Sequence, residues 1–291
     1  MSEPGTGSPY DAGPAHDAAP PQRRGPPYDA GVDDLGHPLG RTAPPQRVVS
    51  LVPSLTESVA LSAPGLLLGA TDYCTHPADL DVARVGGSKY PDLDRVKALH
   101  PDLVLANAEE NELSDVDNLR AAGIAVWVTG PTTLAAAFTS LRRMLAACGV
   151  SPAPPWLDEA RRAWSSAYDG SPPTRTAVVP IWRRPWMVLG AGTFAGDVLR
   201  RLGVANAYGT SQERYPRVTV EEMRATGADL VVLPDEPYAF TKMDGPEEFE
   251  GLDVALVSGR HLTWYGPSLR EARDLLERQL AAAAPAGSLT R

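Results

Sequence analysis

The sequence predicts an α/β protein with two lobes of similar construction and a helical segment between them. Short apolar runs typical of buried strands alternate with helical stretches in residues 47–131 and again in residues 174–282. A pattern in residues 96–106 is echoed in residues 223–233, and a second apolar strand follows in both places. The 291 residues, 43% of them hydrophobic, suffice for one large core or two of medium size.

The same patterns divide the chain into five segments. Residues rich in Pro, Gly and Ala without aliphatic periodicity cannot offset their chain entropy by burial, so we expect disorder at both ends. The predicted segments are a disordered tail (1–46), an N-terminal α/β lobe (47–131), a helical connector (132–170), a C-terminal α/β lobe (174–282) and a disordered end (283–291).

The first strand, residues 47–52, is followed by a helix signal. Ser54 and Glu57 have the S-x-x-E spacing of a capping box. A strand that leads into a helix N-terminus also suits an anionic or polar ligand group. Ordinary helix capping is the preferred interpretation.

The connector is predicted from helical periodicity. Leu134, Phe138, Leu141 and Leu145 fall on one face of a helix that ends near residues 148–149. A second helix is expected from Trp156 to about residue 168. These helices separate the two strand-bearing halves.

Residues 190–195 match G-x-G-x-x-A between a strand and a helix, the position of a dinucleotide fingerprint. No strand ending in an acidic residue follows about 20 residues later, as that fingerprint requires. A tight strand-to-helix turn is therefore the preferred interpretation.

The loop of residues 69–77 follows an apolar run and carries Tyr73, Cys74 and His76. In open α/β sheets, ligands bind beyond the carboxyl ends of the strands. A thiolate and an imidazole two residues apart suit Zn, Cu, Co or Fe, although a closed zinc site needs three or four ligands. The alternative is that Cys74 is a small buried hydrophobic residue and His76 caps the turn.

Aromatic residues concentrate in the loops at the strand ends of both halves. They suit a cleft that sandwiches a large flat ligand, with packing over the sheet edges as the alternative. No arrangement of carboxylates or of Ser, His and Asp recommends catalysis, so we expect a binding protein and no enzyme. The predicted ligand-binding residues are Tyr73, Cys74, His76, Tyr90, Trp182, Trp186, Tyr238, Trp264 and Tyr265.

Charge and composition limit the partners and the location. A net charge of −9 argues against nucleic acid, and no apolar run is long enough to span a membrane. The N-terminus shows neither an apolar signal segment nor a lipidation cysteine, and two unpaired-looking thiols fit a reducing compartment. These features predict a cytoplasmic protein, with an extracytoplasmic location as the alternative if the natural chain starts elsewhere.

Several motifs together resemble the substrate-binding proteins of vitamin B12 and iron-siderophore type, the helical-backbone metal receptors. They lie in order over about residues 46–282, namely at residues 47–57, 74–77, 86–89, 99–104 and 262–266. The resemblance implies two Rossmann-like lobes with parallel sheets joined by a long connecting helix, the class III periplasmic-binding-protein architecture. It also implies little hinge closure.

The resemblance further implies that a metal chelate binds between the lobes. A cobalamin-like corrinoid is the first choice, ahead of a ferric siderophore or haem. The protein then has no intrinsic cofactor, and Cys74 or His76 offers an axial ligand to the cobalt or iron. Family members dock on an ABC importer permease through one acid on each lobe, which matches Asp94 and Glu221. We expect this protein to be a monomer. A cytoplasmic enzyme or sensor that acts on a corrinoid or metal complex is the alternative function.

Overall fold

Two α/β lobes flank a helical connector, as the sequence predicts. The computed structural model describes residues 31–166 and 171–289, together with Met1. Within those residues, no helix is both long and apolar enough to cross a membrane. Residues 2–30, 167–170 and 290–291, which include parts of both predicted disordered ends and the end of the second predicted connector helix, lie outside the described residues.

The N-terminal lobe is built on a five-stranded parallel sheet with strand order β3-β2-β1-β4-β5. The central strands β1 and β4 are buried along their whole length, as expected for parallel strands covered on both faces. The elements are β1 (Val48–Ser50), α1 (Pro53–Ser62), β2 (Leu67–Ala70), β3 (Ala83–Arg84), α2 (Leu93–Ala98), β4 (Leu103–Asn107), α3 (Leu113–Ala121) and β5 (Val126–Thr129).

The connector consists of α4 (Leu134–Ala147) and α5 (Pro155–Ala163). With 14 residues, α4 is about 21 Å long. The four residues predicted for its apolar face are all buried in the core that the two lobes share. The helical connection predicted between the lobes is therefore present.

The C-terminal lobe has a second five-stranded sheet, order β12-β11-β10-β6-β9, and a two-stranded hairpin, β7-β8. Four of the five strands are parallel, and β12 is antiparallel to β11. Its elements are β6 (Arg175–Val178), β7 (Pro180–Arg183), β8 (Trp186–Val188), α6 (Phe194–Arg201), β9 (Val204–Asn206), α7 (Val220–Ala225), β10 (Leu230–Pro234), a 3₁₀ turn (Pro246–Phe249), β11 (Asp253–Val257), α8 (Gly259–Thr263), α9 (Leu269–Ala281), β12 (Ala284–Pro285) and α10 (Ala286–Leu289).

The chain end differs from its prediction. Residues 284–289, expected to be disordered, form the edge strand β12 and the short helix α10. Ala282 and Ala283 separate α9 from β12, and β12 pairs antiparallel with β11 at the edge of the sheet.

Residues 31–46, which we call the clasp segment, also differ from the prediction of a disordered tail. Asp33 is almost completely buried and pairs with Arg120 of α3 at 2.9 Å. Asp34 pairs with Arg143 of α4 at 3.1 Å and accepts a hydrogen bond from the backbone N–H of Gly130 at 2.9 Å. The clasp segment is thus attached to the lobe and to the connecting helix through charged contacts, together with the buried side chain of Leu39.

Of two local predictions, one is wrong and one is confirmed. α1 begins at Pro53, and no side chain caps it, so the predicted capping box at Ser54 and Glu57 is wrong. The glycine-rich turn after β8 is a strand-to-helix turn in which Thr193 caps α6. A Cβ on Gly190 would lie 2.1 Å from the carbonyl oxygen of Glu213, so chain packing accounts for that glycine.

Candidate ligand-binding cleft

The carboxyl ends of the strands of the two lobes meet across the molecule. The hydroxyl of Tyr265, from the C-terminal lobe, shares a hydrogen bond of 2.8 Å with Thr129 at the end of β5. The side-chain amide of Asn107, at the end of β4, also donates to that hydroxyl. Burial raises the pKa of Tyr265, which keeps the phenol protonated. Tyr265 therefore joins the lobes and does not line an open wall, in contrast to its prediction.

A second bridge between the lobes lies beside this one. Glu109 follows β4 and forms an ion pair with Arg214. The same carboxylate accepts a hydrogen bond of 2.9 Å from the hydroxyl of Tyr215. None of these three residues was selected from the sequence, because Arg214 and Tyr215 lie in a loop without a motif.

Trp264 lies between the lobes and is 9% exposed. The imidazole of His76 meets its ring edge-on at 5.5 Å, and the guanidinium of Arg260 lies 5.6 Å from its centroid. The structure thus brings together Trp264 and His76, two of the predicted site residues.

Cys74 and His76 are placed differently although they are two residues apart. The Cys74 thiol is fully buried and lies 3.0 Å from the hydroxyl of Thr56 and 3.1 Å from that of Thr71. His76 is half-buried, and burial and the Arg260 cation lower its pKa. This placement argues against Cys74 as a metal ligand because its thiol faces the interior, and it leaves His76 as the candidate donor.

The remaining predicted aromatics divide into exposed and packed groups. Tyr73 and Tyr90 are exposed on the N-terminal lobe, and Trp182 is exposed on the C-terminal lobe, where it packs edge-on against Tyr238. Trp186 instead packs against the core of its own lobe, with Phe240 and Phe249 as neighbours. It also lines a cavity of about 740 Å³ beside Glu221. These contacts argue against a place for Trp186 on the ligand-facing wall.

Two carboxyl groups contribute an electrostatic feature that the sequence analysis did not select. Burial raises the pKa of Glu110 to about 8, and the neighbouring charges of Glu109 and Glu236 add to the effect. Burial and the charge of Asp235 raise the pKa of Glu236 to about 7. Glu110 follows β4 and Glu236 follows β10. Their position shortly after a strand is the sequence feature that could have marked them as candidate site residues. Near neutral pH both groups are partly protonated and can donate hydrogen bonds.

The described residues do not form a closed metal site. No group of three or more His, Cys, Asp and Glu side chains among them is arranged to hold a metal ion. A metal that reaches His76 would therefore have to bring most of its ligands with it.

Comparison with known proteins agrees with this architecture. No protein-family model matches the chain. A vitamin B12-binding protein of Salmonella typhimurium is 25% identical over 206 residues, which cover 68% of this chain and 76% of that protein. One from Yersinia pseudotuberculosis is 25% identical over 197 residues, covering 65% and 69%.

Solved structures share the fold at lower identity. The periplasmic vitamin B12 binding protein BtuF of Vibrio cholerae superposes with a TM-score of 0.65 at 18% identity, covering 82% of this chain and 97% of that one. CeuE of Helicobacter pylori with Ni(II) bound gives 0.71 at 14% identity, covering 85% and 87%. The periplasmic haem-binding protein BhuT in complex with two haems gives 0.66 at 22% identity, covering 85% and 100%.

The fold is that of a class III periplasmic binding protein, with two α/β lobes joined by a connecting helix. The chain is similar in sequence to vitamin B12-binding proteins and shares its fold with periplasmic binding proteins for vitamin B12 and haem, so the resemblance in its motifs is confirmed.

The predicted cytoplasmic location is contradicted by the same comparisons. The structural neighbours are described as periplasmic binding proteins, which points to an extracytoplasmic location. The prediction of a reducing compartment from the two free thiols was wrong for a physical reason. Cys74 and Cys148 are both buried, so shielding by the fold protects them and a reducing compartment is not required.

Proposed function

We propose that this chain is the substrate-binding protein of an ABC importer and holds a metal chelate between its lobes, with a corrinoid as the first candidate. The observation that carries the proposal is the contact between the two lobes at their strand ends, where His76 of one lobe meets Trp264 of the other. Exposed aromatic rings stand on both lobes, Tyr73 and Tyr90 on one and Trp182 on the other. Aromatic rings on both lobes suit a large ligand with flat apolar faces.

The charges near the junction favour a corrinoid over an anionic chelate. Arg214 and Arg260 are each engaged by a carboxylate, from Glu109 and Glu57. The carboxylates of a haem or of an acidic siderophore would have to displace those partners. Glu110 and Glu236 in their partly protonated state suit the neutral amide groups that surround a corrin ring.

His76 is the proposed axial donor. Its lowered pKa keeps the imidazole neutral at pH 7, the form that binds a metal. A corrinoid supplies the equatorial ligands to cobalt, so one protein nitrogen suffices as an axial donor. In this proposal the metal arrives within the ligand, and the protein itself has no cofactor.

Asp94 and Glu221 are the proposed contacts with the importer. The side chain of Asp94 is 96% exposed at the start of α2, and Glu221 is exposed at the start of α7. α2 precedes β4 and α7 precedes β10, so the two acids occupy equivalent places in the two lobes. One exposed acid on each lobe suits a permease that contacts both lobes of a monomer.

Titration of the purified protein tests the proposed function. Isothermal titration calorimetry with cyanocobalamin, haemin and a ferric siderophore should give saturable binding at one molecule per chain, with cyanocobalamin bound most tightly. Absence of binding to all three would contradict the proposal. Multiple turnover of the corrinoid with an added reductant would instead indicate an enzyme.

A further inference from the structure

Arg260 lies where the two lobes meet and contacts both of them. It belongs to α8, and its guanidinium donates a hydrogen bond across the junction to the carboxylate of Glu57 in α1. On its own lobe, the guanidinium lies 5.6 Å from the centroid of Trp264 and 3.9 Å from the carboxylate of Glu271. One side chain thus touches an acid of the opposite lobe and an aromatic residue of the candidate cleft.

The contact between Arg260 and Glu57 is shielded from water. The side chains of Glu57 and Arg260 are 7% and 18% exposed. Burial raises the pKa of Glu57, although Arg260 opposes that effect. Glu57 is the closest charged partner of Arg260, and Arg260 is the closest of Glu57, so each residue restricts the position of the other.

Two charged or aromatic groups contact the ring of Trp264. His76 meets the ring edge-on from the N-terminal rim, and the guanidinium of Arg260 lies 5.6 Å from its centroid. A ligand that contacts His76 alters the first of these contacts. Arg260 is on the same lobe as Trp264 and can keep the indole in place while the ligand binds.

We propose that Arg260 is a positioning residue that fixes the indole of Trp264 for ligand binding and is itself fixed by Glu57 of the opposite lobe. The proposal rests on the proposed function for its effect on affinity. The orientation of Trp264 then depends on the opposite lobe, because Glu57 of that lobe fixes the position of Arg260.

Arginine is suited to this double role because its guanidinium is planar. It donates hydrogen bonds in its plane to a carboxylate while a face stays available to an aromatic ring. A lysine keeps the charge but has no such plane. Arg260→Lys therefore separates the geometry of the side chain from its charge.

The test compares Arg260→Lys and Glu57→Gln with wild type, each alone and combined with Trp264→Phe. The fluorescence emission of Trp264 in each protein is the spectrum of that protein minus the spectrum of the same protein with Trp264→Phe. Both spectra are measured without ligand. We expect its wavelength and intensity to change in both variants. The control is Arg142→Lys on α4, which alters an exposed ion pair to Asp158 and should leave the emission unchanged.

Cyanocobalamin titration provides the second readout. We expect Arg260→Lys to weaken binding about 3- to 30-fold in the wild-type background. It should weaken binding much less when Trp264 is already Phe, because the effect acts through the indole. Equal losses in the two backgrounds, or an unchanged emission of Trp264, would overturn the proposal.

Failure of the proposed function can be distinguished from failure of this inference. If wild type does not bind cyanocobalamin, the corrinoid proposal fails, and the emission spectra of the protein alone still decide whether Arg260 and Glu57 orient Trp264. If wild type binds but the emission is unchanged in both variants, only the role of Arg260 fails.

Discussion

The imidazole of His76 stands perpendicular to the indole of Trp264, with the ring centroids 5.5 Å apart and the two residues on opposite lobes. The predicted axial donor and the most buried tryptophan of the candidate cleft are therefore in contact. A chelate that binds both residues must either separate the two rings or lie beside the edge at which they are in contact.

The first prediction concerns direct metal ligation. Aquacobalamin has an exchangeable axial water, so coordination by His76 should shift its visible spectrum on binding. We expect His76→Ala to abolish the shift. Cys74→Ser should retain it, because the buried thiol contacts Thr56 and Thr71 and faces the interior. Loss of the shift in the serine variant alone would reverse this assignment.

The pH dependence of that shift gives a second prediction. Burial and the Arg260 charge lower the pKa of His76 from 6.5, so the imidazole loses its metal-binding form only below that value. Affinity for aquacobalamin should be constant above pH 6.5 and should fall as the pH is lowered further. Equilibrium dialysis across this range measures it. An equal fall in His76→Ala would place the titrating group elsewhere.

The third prediction distinguishes the two tryptophan environments. Trp264→Ala should weaken cyanocobalamin binding by about 2 kcal/mol or more, the usual cost of truncating a buried aromatic anchor. Trp186→Phe is the matched comparison, because Trp186 packs on Phe240 and Phe249 within its own lobe. Calorimetry should show that Trp186→Phe binds cyanocobalamin with nearly wild-type affinity. Similar losses in both variants would place Trp186 at the ligand.

The fourth prediction concerns the clasp segment. Asp33→Asn removes a buried carboxylate that accepts hydrogen bonds from backbone N–H groups and pairs with Arg120, so we expect a loss of about 2–3 kcal/mol. The melting temperature should fall by roughly 5–10 °C. The exposed Asp117→Asn is the control. An unchanged melting temperature would return residues 31–46 to the role of a dispensable tail.

The fifth prediction concerns Glu110. Its pKa is raised from 4.5 to about 8, so the folded protein binds a proton that the unfolded chain releases between these values. The contribution of this group is therefore most favourable below pH 4.5 and is lost as pH rises towards 8. Denaturant unfolding at pH 5.5 and 8.5 should show a smaller decrease in Glu110→Gln than in wild type. The exposed Glu250→Gln should behave as wild type does.

The elements that were predictable from sequence are those whose side chains follow a simple period. α4 is the clearest case, since its four apolar positions are spaced for one helical face and all are buried. The parallel strands were recognisable because both faces are covered, which gives continuous apolar runs such as that of β10.

The features that were missed depend on contacts between distant residues. Glu57 has the local spacing of a helix cap, yet its carboxylate pairs with Arg260, 203 residues away. Asp33 likewise orders a segment without apolar pattern through its bond to Arg120. The spacing of residues in a sequence indicates contacts within one or two helical turns. It could therefore predict neither the Glu57–Arg260 pair nor the Asp33–Arg120 pair.

The buried thiols have a consequence for the study of motion in this protein. Cys74 lies beneath the cleft rim, and Cys148 ends the connecting helix, where burial raises its pKa to about 12. A thiol reagent reaches either sulfur only after its surroundings open. Labelling rates in Cys148→Ser and Cys74→Ser variants would therefore time the opening of the rim and of the connecting helix separately, without any added probe.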